Sequence, residues 1–164
     1  MSFVYEATPL RKQISLTAPE MVAFLEGRHH GTLATIGSDG LPHQVTISYA
    51  VVGSTVRFTT FAKAQKAVNA KRNPSASLLV EVAAPYSAVK GVLVRGEIQI
   101  SDDYDHVLDT VRRVAEHIQQ IDPESWAANP DVDFEATARK RVSMTLSLER
   151  VTTWDHAKLG VGVY

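Results

Sequence analysis

The chain has 164 residues, 45% hydrophobic and 21% charged, which is enough apolar material for one substantial core and excludes a disordered chain. Its formal net charge of −1 gives no bulk attraction to nucleic acid or to membranes, so any anion recognition must come from a local cluster. There is no cysteine, which excludes disulfides, thiol catalysis, iron–sulfur clusters and thiolate zinc sites. No apolar run approaches the roughly 20 residues needed to span a bilayer. Residues 1–16 lack the long apolar stretch of a secretory signal. The expectation is a single cytoplasmic domain over 1–164, with no nucleic-acid or membrane partner.

In chain order, residues 1–16 read as an irregular or extended arm. Thr17-Ala18-Pro19-Glu20 is a helix start: Thr17 is the N-cap, proline is tolerated early, and Glu20 is the capping-box acid. Met21, Phe24 and Leu25 form its apolar face, and Gly27 stops it. Gly31 to Ile36 alternates as a strand, 37–40 (GSDG) is a turn, and Val45 to Val51 alternates again. Gly53-Ser54 turns the chain into a third strand, Val56 to Phe61. Short glycine-containing turns predict an antiparallel meander.

A basic helix is expected from Ala62 to Arg72, ended by Asn73-Pro74 because the residue before proline avoids the α region. Ser77–Val82 and Val89–Ile100 read as a fourth and a fifth strand, with Gly91 and Gly96 as bulge or close-approach positions. Ser101 or Asp102 caps a longer helix to about Ile121, with Val107, Leu108, Val111, Val114, Ala115 and Ile118 at core spacing. Asp133 to Arg139 suits a short helix, and Arg141 to Val151 a last strand. The tail, 152–164, has no clear periodicity. The fold class this implies is mostly β with flanking α-helices, six antiparallel strands closing into a small barrel that hides its edges.

The chemistry concentrates after the third strand. A helix macrodipole favours acids in the first turn and bases in the last, yet Lys63 and Lys66 stand near the start, with no acid between Gly53 and Glu81. With the helix N–H groups and the hydroxyls of Thr59 and Thr60 they suit a phosphate. A solvated lysine face explains the helix, taken alone, equally well. His43, at the start of a strand, could hydrogen-bond a ring or shuttle a proton, or simply be exposed. His29-His30 lacks a third ligand at metal spacing, so no metal is expected. No dinucleotide fingerprint, P-loop or G-x-S-x-G elbow occurs, and the acids at 102, 103, 105 and 109 read as a helix N-terminus, so no catalytic residue is assigned. Trp154 reads as a packing anchor, in the core or against a second subunit.

Residues 31–81 carry G-T-L-A-T, then D-G-x-P-H, a strand, and K-x-x-K-x-x-N-x-x-R-x-P-x-x-S. In that order they resemble the opening half of the flavin/deazaflavin oxidoreductases, the pyridoxamine 5′-phosphate oxidase-like split β-barrel group. The stretch 91–96 (GVLVRG) fits a later strand of that group, and 152–160 (TTWDHAKLG) resembles the end of a deazaflavin-dependent branch. The resemblance implies a homodimer with cofactor sites at the subunit interface. It implies coenzyme F420 before FMN, because the R-x-x-L-L-K pattern of true pyridoxamine phosphate oxidases is missing. Lys63 and Lys66 would then bind the cofactor phosphate, helped by Thr59, Thr60, Gln65 and Asn69. Pro42, His43, Gln44, Val45 and Thr46 would line the ring system largely through backbone groups. Trp154 would arrive from the second subunit. The implied activity is F420-dependent hydride transfer to an unsaturated small molecule. The alternatives are an FMN-dependent reductase or oxidase, an F420 carrier or sensor without turnover, and a barrel used only for interaction.

Overall fold

A computed structural model describes residues 4–5, 9–82, 85–127 and 131–159. The described strands are β1 (Val4–Tyr5), β2 (His30–Ile36), β3 (Pro42–Ser48), β4 (Ala50–Val52), β5 (Thr55–Phe61), β6 (Ser75–Val82), β7 (Lys90–Ser101), β8 (Arg141–Ser147) and β9 (Arg150–Asp155). The helices are α1 (Pro9–Ile14), α2 (Ala18–Glu26), α3 (Gln65–Arg72), α4 (Tyr104–Ile121), α5 (Pro123–Ala127) and α6 (Phe134–Ala138). Single 3-10 turns occupy Tyr86–Ala88 and His156–Leu159.

The sheet runs β3-β2-β6-β7-β8-β5-β4, and every pairing along this path is antiparallel. Its two end strands, β3 and β4, are separated in the chain only by Tyr49, so the sheet curls until its ends meet. The break at Tyr49 has a local cause. Its N–H donates to the His29 carbonyl at 3.0 Å, and its buried hydroxyl donates to the Leu25 carbonyl at 2.9 Å. Those bonds turn the course from β2 toward β5. The buried phenol is held neutral, its pKa pushed up by desolvation.

A second course bends in the same way. β8 pairs with Ile98–Ser101 of β7, and β9 pairs with Lys90–Val94 of the same strand. The expected single strand from Arg141 to Val151 is therefore one run past β7, broken between Ser147 and Arg150. These two breaks, together with β1, which pairs parallel to β9, account for nine strands where six are expected.

Three other expectations are corrected. The arm carries β1 and α1, and Leu16 is buried, its N–H donating to Thr153 Oγ1 at 2.9 Å. The tail's first residues, 152–155, belong to β9. The long helix is capped by Asp103, whose carboxylate accepts from the His106 N–H at 2.9 Å, and neither Ser101 nor Asp102 fills that role. In contrast, Thr17 and Glu20 form the reciprocal capping box expected of them.

Inside the curl lie Leu33, Tyr49, Val56, Phe58, Leu78, Val80, Val92, Val94, Met144 and Leu146, with Met21 and Leu25 of α2 closing one end. α3 packs on β2 and β7 through Ala67 and Ala70. α4 lies across β4, β5 and β8 and carries α5 and α6. Among the described residues, no helix is long and apolar enough to cross a membrane.

Candidate functional site

β5 alternates inward through Val56, Phe58 and Thr60, and Thr60 is buried. The basic helix begins at Gln65, three residues later than expected. The segment 62–64 is a turn, with Ala64 N donating to the Phe61 carbonyl at 2.9 Å, so Lys63 precedes the helix and Lys66 sits in its first turn. Ala64 is an N-cap without a side-chain acceptor, and the first turn holds no acid. Such an end leaves backbone donors for an anion.

Two buried contacts fix this helix. Asn69, 1% exposed, donates through Nδ2 to Thr35 Oγ1 at 3.1 Å, while its Oδ1 accepts from Gln65 Nε2 at 2.8 Å. At the far end, Arg72 donates to the Ile36 carbonyl. So held, α3 points Lys66 Nζ at Thr60 Oγ1, 3.2 Å away. Burial, and then the nearby Arg141 charge, push the Lys66 pKa down.

Arg141 opens β8 directly across from Phe61 in the strand register. Its guanidinium lies over the Phe61 ring, 4.6 Å from the centroid. Burial pushes its pKa down, and its Nε is buried without a hydrogen-bond partner. Among the described residues, neither Lys66 nor Arg141 has a carboxylate partner. Two cations held together without an acid are repulsive unless an anion joins them.

The recess that would admit that anion lies where β3 and β5 part. Among the described residues, β4 covers only Thr55–Arg57 of β5, and β3 pairs only with β2. From Phe58 onward the facing edges of these two strands are therefore open. A cavity of about 410 Å³ fills the gap, lined by Thr46, Ile47 and Ser48 on one side and by Thr59, Thr60 and Phe61 on the other. Lys66 and Arg141 stand on its wall. α4 contributes Val111, Val114, Ala115 and Ile118, and the Trp126–Phe134 stack, with centroids 6.2 Å apart, adds aromatic surface. Among the described residues, no carboxylate lines it. Its volume falls in the ordinary range of small-molecule sites, about 300–1,000 Å³. The combination suits a ligand with an anionic group and an apolar, planar body.

The expected residues do not all meet here. Thr46, Thr59, Thr60 and Lys66 do. On β3 the side chains alternate. Val45 packs on the core, and His43 is half-buried opposite Thr35, with Nδ1 lacking a partner. Pro42 and Gln44 face a separate recess of about 520 Å³ on the outer face of the sheet. Lys63 lines a neighbouring cleft of about 610 Å³. Gln65 and Asn69 line none of these recesses, and their hydrogen bonds go to each other and to Thr35. Trp154 lies on a different side, over Gly91, its direct partner in the β7–β9 register. A side chain on Gly91 would put its Cβ 2.7 Å from Trp154 Cε2, which makes this glycine a close-approach position. Arg141 is the residue that the sequence reading missed. Its signal was a base opening an otherwise apolar alternating strand, which means little until the Phe61–Arg141 register brings it beside Lys66.

The sequence model described as pyridoxamine 5′-phosphate oxidase matches residues 17–155. The chain is 28% identical over 134 residues to the F420H(2)-dependent biliverdin reductase of Mycobacterium tuberculosis (strain CDC 1551 / Oshkosh), spanning 80% of this chain and 84% of that protein. Among solved structures it is similar to a conserved hypothetical protein of Mycobacterium tuberculosis, with a TM-score of 0.79 and 31% identity, over 93% of this chain and 92% of that one. It is also similar to an F420 reductase, with a TM-score of 0.59 and 25% identity, over 76% of this chain and 90% of the other.

Proposed function

Because this chain belongs to the pyridoxamine 5′-phosphate oxidase family, we propose that it is an F420-dependent oxidoreductase that transfers a hydride to or from an unsaturated small molecule. The observation that carries this reading is the acid-free cation pair Lys66–Arg141, set at the open edge between β3 and β5 beside an apolar wall. The cofactor named in two similar proteins supports it. Bound F420 supplies two-electron hydride chemistry, since carbon stands where flavin has its reactive nitrogen.

The chain's own residues bind and orient. Lys66 and Arg141 neutralise the cofactor phosphate, Lys63 reaches it from the preceding turn, and Thr59 and Thr60 hydrogen-bond it. The Lys66 ammonium donates to Thr60 Oγ1, which leaves the hydroxyl hydrogen free for a phosphate oxygen. The unpaired backbone edge of β3, over Pro42, His43, Gln44, Val45 and Thr46, borders the ring system. Gln65 and Asn69 act through α3, by holding its first turn in place. The wall from α4 excludes water from the apolar face of the ring. In this reading the working unit is a homodimer, in which Trp154 of one subunit approaches the cofactor of the other.

Titration of the purified protein with F420 and with FMN tests the cofactor. Saturable binding of F420, with FMN weaker, is expected. A flavin that co-purifies, with no affinity for F420, overturns the reading. Light scattering tests the dimer, expected at twice the chain mass.

A further inference from the structure

We propose that the histidine cluster at the end of α4 is a proton-operated control on the 410 Å³ cavity, acting through Asp122 on the tryptophan that walls it. The inference rests on the reading above only for what occupies the cavity. His29 immediately precedes β2, and its ring centroid lies 4.0 Å from that of His30. Its Nε2 lies 3.9 Å from Asp122 Oδ2, and His117 of α4 also faces it. His117 is tied to the same segment, with Nε2 2.8 Å from the Arg28 carbonyl oxygen, and its ring centroid is 6.0 Å from that of buried Tyr49. The Arg28 guanidinium lies over Phe24, 5.7 Å from the ring centroid. The end of α4 is therefore fastened to the entry of β2 chiefly through imidazoles.

Asp122 carries the connection to the cavity. It is the C-cap of α4 and the residue before α5. Its Oδ1 accepts from the Ser125 N–H at 3.0 Å, and its carbonyl accepts from the Trp126 N–H at 3.1 Å. Its Oδ2 is the atom that faces His29. One residue thus sets the first turn of α5 and also meets the histidine. Trp126 lines the cavity with Ile118 of α4 and stacks on Phe134, 16° from parallel.

The charges around His29 decide the direction. Asp122 favours the imidazolium, while burial, His30 and His117 oppose it, and the balance favours the neutral ring. The Asp122 side chain is 41% exposed, so water screens its attraction. Below the ordinary histidine range, three imidazoles gain charge within one cluster. Repulsion then moves His29 off Asp122, the start of α5 loses its brace, and Trp126 leaves the cavity wall. Conversely, a ligand seated against Trp126 holds His29 neutral, so its binding releases a proton where His29 titrates.

The test labels the full chain with 5-fluorotryptophan and follows its fluorine resonances between about pH 7.5 and about pH 5.5. The chain has two tryptophans, so Trp154→Phe identifies each resonance. Without ligand, the Trp126 resonance is expected to titrate once in wild type and to stay constant in His29→Gln. Asp122→Asn keeps an oxygen for the Ser125 N–H but removes the charge that favours the imidazolium, so the same titration moves to lower pH. A Trp126 resonance that is constant in wild type, or that titrates alike in wild type and both variants, overturns the proposal. These readings need no ligand, so they hold whether or not the cofactor assignment does. Titration with F420 at both ends of the pH range reads the consequence for binding. Wild type should lose up to about tenfold in affinity per pH unit below the transition, the slope of one linked proton, and His29→Gln should lose less. Equal losses in the two proteins overturn the control of binding. Absence of F420 binding at either pH sinks the cofactor reading, and the Trp126 resonance still decides whether the cluster moves the cavity wall.

Discussion

Lys66 occupies a position where burial works against its own charge, and that conflict makes it informative. Its ammonium pKa is lowered by desolvation and by Arg141, so the folded protein without ligand is less stable for holding it charged. Above the ordinary lysine range both folded and unfolded states are neutral there, so the penalty fades as pH rises and is present in full at neutrality. Lys66→Met is therefore expected to leave the melting temperature of the ligand-free protein unchanged or raised, by differential scanning calorimetry. The same change should weaken binding of the proposed phosphate-bearing cofactor by about 1–3 kcal/mol, read by titration. Asn69 should behave in the opposite sense. Asn69→Ala deletes two hydrogen bonds and strands Thr35 Oγ1 in the core, so stability should fall by about 1–3 kcal/mol in a denaturant melt. Cofactor affinity should fall with it, although Asn69 lines no cavity. Trp154 offers a third test. Gly91→Ala forces its ring off β7 and should cost about 1–3 kcal/mol, with a shift in tryptophan emission.

At the scale of elements, local signals were strong where one short segment contains its own partners. The α2 start is such a case: Thr17, Pro19 and Glu20 satisfy each other within one turn. Thr17→Ala should cost about 1 kcal/mol of stability, measured by urea unfolding. α3 is the reverse case. Its N-cap is an alanine without a side-chain bond and its first turn has no acid, so little in the segment marks where it begins. The start at Gln65 follows the local Ala64–Phe61 turn and is fixed by Asn69 reaching into β2, and the second of these is tertiary in origin. The breaks at Tyr49 and between Ser147 and Arg150 were equally illegible. Alternation continues through both courses, and only pairing with two different partners shows where each strand divides.

For the molecule as a whole, two acid-sensitive groups tie distant parts together. His29 stands near the start of β2, 3.9 Å from Asp122 beyond the end of α4, with His30 and His117 also facing it. Burial, then the charges of His30 and His117, lower its pKa, while Asp122 opposes the shift. A base with a lowered folded pKa costs nothing when neutral, so stability should begin to fall as pH drops below the ordinary histidine value, about 6.5. Glu20 is held at about 2, chiefly by its hydrogen bond to Lys158 and then by the Thr17 bonds, below the ordinary carboxylate value of 4.5. Its contribution is present above 4.5 and lost as pH falls toward 2. Acid unfolding followed by circular dichroism should show two phases of weakening, and His29→Gln should remove the first while leaving the second. Loss of the second phase in that variant would contradict the assignment.

The sequence alone was sufficient for a mostly β fold with flanking helices and for a basic, acid-free segment after β5. Alternation, turns and uncompensated charge are properties of neighbours along the chain. It also carried the family motif in residues 31–81, within the matched region 17–155. What only the tertiary structure decided was which of those groups share a recess. Thr60 and Lys66 are close in sequence, but Arg141 lies far along the chain and reaches them through strand register, where the side-chain direction depends on which residue faces Phe61. The gap between β3 and β5 likewise belongs to neither strand. It exists because Tyr49 bends one course onto two partners and leaves two edges unpaired, and the cavity occupies what the pairing does not fill.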